Sequence, residues 1–162
     1  MTETSRYIKE ILERGQAEAR LSRSPAMEAE HLLLALAAQR GTSAQRVLAD
    51  AGLDHDTIRT ALDREFTASL RVAGVELSDL DLPPATADPQ RSVRLGTSAK
   101  LVLERAVRTA GRGPGRIRPA HLLLGVLEAQ VGTVPRALAL AGLDRAQLAS
   151  QARAALSSEG HR

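Results

Sequence analysis

Apolar residues recur along most of the chain at the three- and four-residue spacing of amphipathic helices. In the first segment Ile8, Ile11, Leu12 and Ala19 share one face, and charged residues occupy the other. The segment 28–39 differs because Leu32, Leu33, Leu34 and Leu36 place apolar side chains nearly all round it, which predicts a central buried helix. No stretch alternates as a strand would, so we predict no strand. The pattern predicts an all-α protein.

The same series of patterns occurs twice. "ILER" at 11–14 returns as "VLER" at 102–105, and "HLLLAL" from His31 returns as "HLLLGV" from His121. "AGLD" at 51–54 returns unchanged at 141–144. The offsets are 91, 90 and 90 residues, in one order. Such constant spacing indicates a tandem duplication.

Each copy predicts four helices. Asp54 and Asp144 are good N-caps for the last helix of each copy, and the glycine two residues earlier suits the end of the helix before. The predicted helices span 5–21, 28–39 and 43–51, with a fourth from Asp54, and then 97–112, 119–130, 134–141 and 144–156. We therefore expect eight helices in two pseudo-symmetric four-helix repeats.

Proline and acidic residues separate the two copies. Pro83, Pro84 and Pro89 predict a loop, and 77–90 is expected to lack regular structure. The predicted organisation is a first repeat at 1–70, a linker at 71–95, a second repeat at 96–157 and a tail at 158–162. Both repeats are expected to form one globular domain.

Composition narrows the chemistry. Hydrophobic residues make up 43% of the 162 residues, but Tyr7 and Phe66 are the only aromatic ones, so the core must be aliphatic. The absence of cysteine excludes disulfides, thiolate zinc sites and cysteine nucleophiles. The first residues lack the apolar core of a signal peptide, and no apolar run approaches the roughly 18 residues of a membrane span. We expect a cytoplasmic protein that does not enter a membrane.

Charge is unevenly distributed, although the net charge is only +3. Basic residues crowd the stretch from Arg91 to Arg118, where Glu104 is the one acid. This run is typical of a solvated helix face; the functional alternatives are contacts with nucleic-acid phosphate or with an acidic protein. A DNA-associated helical regulator is therefore a second hypothesis. Stacking aromatics are absent from the run, so nucleic acid is not the expected partner.

No motif indicates catalysis. His31 and His121 recur at equivalent positions, which favours a shared structural hydrogen bond over metal binding or catalysis. There is no H-x-x-x-H pair and no G-x-S-x-G elbow. The glycine-rich "GRGPGR" at 111–116 lacks the Lys-Ser/Thr of a phosphate-binding loop. We expect a non-enzymatic protein without metal or cofactor.

The doubled helical pattern resembles the N-terminal domain of Clp-family AAA+ unfoldases of the ClpA/ClpC type. Repeats of that family carry a T-E-H-I/L-L-L-G-L stretch, matched here at 29–36 and 119–126. The resemblance implies a protein- or peptide-binding module of the Clp proteolysis system: an adaptor, a substrate-recognition domain or a decoy. Implied partners are Clp unfoldase or protease components or their substrates, and peptide or cyclic-peptide ligands such as toxins that target N-domains. Since no ATPase motif follows, a stand-alone N-domain is expected.

The resemblance also implies a ligand site. In ClpC-type domains the glutamate of the E-H pair binds the guanidinium of phosphorylated arginine, and a threonine near the start of the first helix takes the phosphate. Here Glu30 and Ser5 match these positions. The second copy has Ala120 and Gly96 instead, with Thr97 beside the latter, and therefore looks degenerate. The alternative is that Glu30 only stabilises the first turn of its helix through the helix dipole.

Overall fold

A computed structural model describes residues 3–76, 93–113 and 115–160, so the predicted loop at 77–90 lies outside the described residues. Eight helices occur in these ranges: α1 (Glu3–Leu21), α2 (Ala29–Ala38), α3 (Ser43–Asp50), α4 (His55–Val72), α5 (Thr97–Ala110), α6 (Pro119–Leu127), α7 (Thr133–Leu140) and α8 (Arg145–Glu159). The predicted all-α fold and its eight helices are confirmed.

The last helix of each repeat begins where the sequence predicts it. The carboxylate of Asp54 accepts a hydrogen bond from the Thr57 amide at 2.7 Å. The carboxylate of Asp144 accepts from the Ala146 and Gln147 amides at 3.0 and 3.2 Å. Each cap satisfies amide groups that the first turn of a helix leaves without an intrahelical acceptor. Both helices extend a few residues further than predicted for their repeats, to Val72 and Glu159.

The two central helices form the core. All nine residues of α6 are buried, and in α2 only Glu30 and Ala38 are partly exposed. The two helices contact each other, so each covers part of the other's apolar surface. Because neither helix has a polar face, the remaining six helices must surround them.

The surrounding helices pack both within and across the repeats. Within the repeats α1 packs on α2, and α5 packs on α6. Across the repeats α4 packs on α7, and α3 packs on α8. This reciprocal exchange is the arrangement expected of two copies related by a pseudo-twofold axis.

The structure corrects the prediction that the chain forms no strand. Two-residue strands, β1 (Ala26–Met27) and β2 (Arg94–Leu95), pair in parallel. Each strand precedes a helix, and the pair joins the first repeat to the second. Two residues are too few to give an alternating pattern, so this contact leaves no signal in the sequence.

A carboxylate from the first repeat caps a helix of the second. The Ser98 amide in the first turn of α5 donates to Glu28 Oε2 at 3.1 Å, and the Ser98 hydroxyl donates to the same oxygen. The Ala29 amide in turn donates to Ser98 Oγ at 2.8 Å. Gly96, the N-cap of α5, lies so close that a Cβ there would overlap the Glu28 carboxylate. A side chain at this position would therefore push the Glu28 carboxylate away from the start of α5.

This contact predicts the effect of Gly96→Ala. The added methyl group displaces the Glu28 carboxylate, so we expect a loss of about 1–2 kcal/mol in the free energy of unfolding, as for the loss of a helix cap. Urea unfolding followed by far-UV circular dichroism measures it. In a Glu28→Ala background the same substitution should cost little, because no carboxylate remains to displace. Equal losses in both backgrounds would contradict this explanation.

Candidate functional site

The two equivalent histidines close the starts of the central helices. The ring Nδ1 of His31 accepts a hydrogen bond from the Glu28 amide at 2.8 Å, and that of His121 accepts from the Arg118 amide at 2.9 Å. Both side chains are buried. The predicted shared structural hydrogen bond is confirmed.

The surroundings of His31 keep its ring neutral. Because Nδ1 accepts a hydrogen bond, the neutral ring carries its proton on Nε2, which lies 2.9 Å from Ser22 Oγ. Burial lowers the pKa of His31 from 6.5 to about 4; Arg59 also lowers it, while Glu28 and Glu18 act in the opposite direction. Burial and Arg118 lower the pKa of His121 as well. These are structural rings rather than proton shuttles near neutral pH.

Beside His31 lies a cavity of about 410 Å³, here called the acidic cavity. Glu30 of α2 and Asp63 and Glu65 of α4 supply three carboxylates. Apolar side chains complete much of the wall, among them Leu34, Leu62 and Phe66. Arg59, which pairs with Glu18, also lines the cavity. The cavity therefore combines an excess of carboxylates with apolar surface, which suits a cationic group on an aliphatic stem.

Glu30 is the carboxylate of this cavity with a shifted pKa. Burial raises its pKa above 4.5, and the nearby Glu28 and Glu65 raise it further, while a hydrogen bond from its own backbone lowers it. No ion pair to Glu30 is present among the described residues. A cation entering the cavity would relieve both the desolvation and the like-charge repulsion.

Two other carboxylates at or near the cavity, Glu65 and Glu18, already pair with cationic side chains. Glu65, 4% exposed, accepts a hydrogen bond from Arg136 Nε at 2.8 Å and another from the Ser69 hydroxyl. Close by, the buried Glu18 pairs with Arg59 and with His55 Nε2, the latter at 2.5 Å. The Glu65–Arg136 pair places a guanidinium from α7 against a carboxylate that lines the acidic cavity.

Glu65 and Asp63 were missed by the sequence analysis. Glu65 continues the helical spacing of Ile58, Ala61 and Leu62, which marks the buried face of α4. An acidic residue on an otherwise apolar face was the sequence feature that could have indicated a site. At the 90-residue offset, the second repeat has Arg153 and Ala155 in their places.

Ala120, the counterpart of Glu30, is fully buried. Asp63 and Glu65 correspond to Arg153 and Ala155. None of the three carboxylates of the acidic cavity therefore has an acidic counterpart in the second repeat. The second repeat therefore does not reproduce the acidic cavity.

The structure does not bring Ser5 and Glu30 together. Ser5 lies in the first turn of α1, whereas Glu30 adjoins His31, which contacts Ser22 just beyond the other end of that helix. From Ser5 to Leu21 an α-helix rises about 24 Å. The start of α1 instead faces the second repeat, since Thr4 lines a cavity with Arg118. The two residues of the predicted ligand site therefore lie near opposite ends of α1, and their joint role stays a prediction.

The residues of the predicted degenerate site are also separated. Gly96 packs against Glu28 of the first repeat, and Thr97 is exposed at the start of α5. Ala120 is buried in α6. The helix start of each repeat thus meets the E-H region of the other repeat, which alignment of one copy on the other could not reveal.

The basic run between Arg91 and Arg118 is partly used inside the fold, although Arg91 lies outside the described residues. Arg105 Nη1 donates to the Gly125 carbonyl at 3.1 Å, and Arg118 Nη1 lies 3.0 Å from Glu159 Oε2. These internal contacts remove two arginines from a continuous phosphate-binding surface. The DNA hypothesis gains no support from them.

Within the described ranges, no cluster of three or more metal-ligating side chains occurs. None of the helices in those ranges is long and apolar enough to cross a membrane.

Comparison with known proteins identifies the family. The family model of the Clp repeat N-terminal domain matches residues 3–113, more than half of the chain. The chain belongs to this family. No curated protein matches it.

The fold of this Clp N-domain is similar to that of a solved relative. It aligns with the N-terminal domain of the caseinolytic protease associated chaperone ClpD from Arabidopsis thaliana, with a TM-score of 0.63 and 22% sequence identity. The alignment covers 97% of this chain and 94% of the other. Family membership supports a protein-binding module of the Clp system.

A second cavity of about 600 Å³ adjoins the acidic one in this Clp N-domain, with Glu65 lining both. Its walls are mostly apolar and come from α4 and α7. Val72 is 91% exposed and Leu140 54%, so large apolar side chains are left without cover along this face. We call these two helices' exposed apolar surface the α4–α7 groove.

The pKa of His31 predicts acid sensitivity. The unfolded chain binds a proton at His31 from about pH 6.5, and the native state only near pH 4, so acidification through this interval favours unfolding. We expect roughly 2–3 kcal/mol to be lost between pH 7 and 4.5. Urea unfolding at several pH values measures it. A His31→Gln variant should be less stable at pH 7 and depend less on pH; an unchanged pH profile would contradict the assignment.

The raised pKa of Glu30 predicts that this carboxylate costs stability. The unfolded chain releases the Glu30 proton at about pH 4.5, whereas the native state still holds it there. The free energy of unfolding therefore falls as the pH rises from 4.5 through the raised pKa of Glu30. We expect Glu30→Gln to stabilise the protein at pH 7 by about 0.5–1 kcal/mol, as substitutions at functional sites commonly do. Glu104→Gln, on the exposed side of α5, is the control. If Glu30 serves mainly its helix dipole, Glu30→Gln should instead destabilise.

Proposed function

We propose that this Clp N-domain binds segments of partner or substrate proteins that present an arginine side chain, and that the acidic cavity receives its guanidinium. The observation that carries the proposal is the Glu30 carboxylate, partly buried beside Asp63 and Glu65 without an ion-pair partner. A carboxylate and a guanidinium form two parallel charge-assisted hydrogen bonds, which are stronger than bonds between neutral groups. In this role the module recruits proteins for the Clp system as an adaptor or substrate-recognition domain.

The α4–α7 groove supports binding of a segment rather than of a single side chain. It continues from the acidic cavity through Glu65 and exposes apolar side chains, including Val72 and Leu140. An apolar residue of the ligand next to the arginine would cover this surface. Burial of such a side chain contributes about 1.5–3 kcal/mol, comparable with the ion pair.

The charge of the cavity favours an unmodified arginine over a phosphorylated one. A phosphoryl group adds negative charge beside Glu30, Asp63 and Glu65, and the nearby Arg59 is already paired with Glu18. Ser5, the residue assigned to the phosphate by family resemblance, lies near the opposite end of α1. Recognition of phosphoarginine at Glu30 therefore remains the competing hypothesis for this cavity.

Titration calorimetry with three short peptides tests the proposal. Each has leucines on both sides of a central residue, which is arginine, phosphoarginine or citrulline, the neutral analogue of arginine. We expect the arginine peptide to bind most tightly with one site per chain, and citrulline to lose most of the affinity. Charge-assisted hydrogen bonds contribute about 1.5–3 kcal/mol, so Glu30→Gln should weaken binding of the arginine peptide roughly ten- to hundredfold.

The matched control is Glu104→Gln, which removes the same charge from an exposed position on α5 and should leave the affinity unchanged. Equal binding of the arginine and citrulline peptides would refute guanidinium recognition. Tighter binding of the phosphoarginine peptide would favour the competing hypothesis. Two sites per chain would contradict the restriction of the acidic cavity to the first repeat.

A further inference from the structure

The outer side of α4 carries a strip of mostly exposed side chains along almost the whole helix. Two cavities, of about 490 and 380 Å³, follow this strip, and Leu140 at the end of α7 lines both. The polar members of the strip recur at the spacing of one helix face: Asp56, Thr60, Asp63, Arg64, Thr67 and Arg71. We call these six residues, together with Leu140, the α4 face.

The residue types on this face are arranged symmetrically about the middle of the helix. Asp56 and Arg71 lie equally far from the point between residues 63 and 64, one on each side of it. If two α4 helices pack antiparallel about this point, Asp56 of one copy reaches the level of Arg71 of the other. A parallel pair would instead place like charges at the same level. Two further pairs share this midpoint: Thr60 with Thr67, and Asp63 with Arg64.

The charged groups of the α4 face are weakly engaged within the chain. Neither Asp63 nor Arg64 forms an ion pair with a described residue. Arg71 Nε lies 3.7 Å from Glu76 Oε2, and Asp56 Oδ1 lies 3.6 Å from the ring of the preceding histidine. Such exposed pairs contribute little to stability, so exchanging them for contacts with another molecule costs little.

The uncharged side chains of the face can lose their contact with water. The hydroxyl of Thr60 donates to the Asp56 carbonyl at 3.0 Å. That of Thr67 donates to the Asp63 carbonyl, also at 3.0 Å. Both donors therefore stay satisfied when another helix covers them. Leu140 is 54% exposed, so a covering helix also removes apolar surface from water.

The equivalent helix of the second repeat lacks this arrangement. At the 90-residue offset, α8 has alanine in place of Asp56 and of Arg64. An arginine, Arg153, stands in place of Asp63. The symmetric charge pattern is therefore not a property of the shared scaffold. Because the α4 face complements itself, two copies would close into a dimer rather than extend into a filament.

We propose that the α4 face binds a second copy of this chain, with the two α4 helices packed antiparallel about their midpoints. Asp56 of each copy lies at the level of Arg71 of the other, and the Asp63 and Arg64 side chains of both copies meet at the centre. The proposal does not depend on arginine recognition, because Glu30 lies outside the α4 face. Since the α4–α7 groove also contains Leu140, a second copy and a ligand segment compete for this surface.

The size of the face sets the expected affinity. The 18 residues of α4 span about 27 Å, and a helix is about 10 Å across. Two such strips bury less than the roughly 1,200 Å² of total surface at which stable complexes begin. We therefore expect a weak dimer, with a dissociation constant on the order of 100 µM.

Sedimentation velocity of the full chain, from about 10 µM to about 1 mM, tests self-association. We expect the weight-average sedimentation coefficient to rise from that of a monomer towards that of a dimer. In ¹⁵N nuclear magnetic resonance spectra over the same range, the amides that shift should cluster on α4. A monomer at every concentration, growth beyond a dimer, or shifts that cluster elsewhere would overturn the proposal.

Charge reversal tests the antiparallel arrangement. Asp56→Arg and Arg71→Asp each place like charges at two levels of the symmetric pair, so either variant alone should self-associate about tenfold more weakly. In an equimolar mixture the two variants present opposite charges at both levels, so the mixture should dimerise at least as tightly as the original chain. Thermal unfolding checks that each variant is folded, since both substitutions also oppose the helix dipole.

The matched controls are Glu104→Arg and Arg108→Asp, which reverse the same charges at exposed positions of α5. Neither should change the affinity. Equal weakening by the controls means that net charge, not the α4 face, governs association. If the mixture of the Asp56→Arg and Arg71→Asp variants stays monomeric, the antiparallel α4 pair is wrong.

Discussion

The structure depends on burying two short helices that have no polar face. Nearly all of α2 and all of α6 are removed from water, and each must be covered on every side by the other helices. The amide of the residue just before each helix has no acceptor within the helical hydrogen-bond pattern, and a side chain provides one. His31 and His121 perform this task from inside their own helices. The lowered pKa of both rings follows directly from their place in this core.

Around this shared core the two repeats have diverged in charge rather than in shape. The residue before the central helix is Glu28 in the first repeat and Arg118 in the second. In the first turn of that helix, Glu30 of the first repeat corresponds to Ala120 of the second. The first repeat therefore has an excess of carboxylates and the second an excess of guanidinium groups at corresponding places. Duplication supplied two equivalent scaffolds, and substitution at these positions made their charges differ.

The helices could be predicted from the sequence, because their determinants are local: apolar spacing, and caps such as Asp54 and Asp144. The contacts between repeats could not. The bond from Ser98 to Glu28 joins residues 70 positions apart, and nothing local marks either as its partner. The site depends on distant contacts in the same way: the E-H motif predicts Glu30, whereas the position of Ser5 relative to it is set by the packing of α1 along its whole length.

The carboxylate of Glu28 also bears on how the chain folds. Because Glu28 caps α5, the first repeat supplies a hydrogen-bond acceptor that a helix of the second repeat needs. The β1–β2 pair joins the segments just before α2 and α5 as well. Neither repeat has a complete set of satisfied helix ends by itself. Folding is thus expected to be cooperative across the duplication, with both halves forming in one transition. Contacts so distant in sequence require closure of a long loop before they stabilise anything, which slows folding relative to an ordinary helical bundle of purely local contacts.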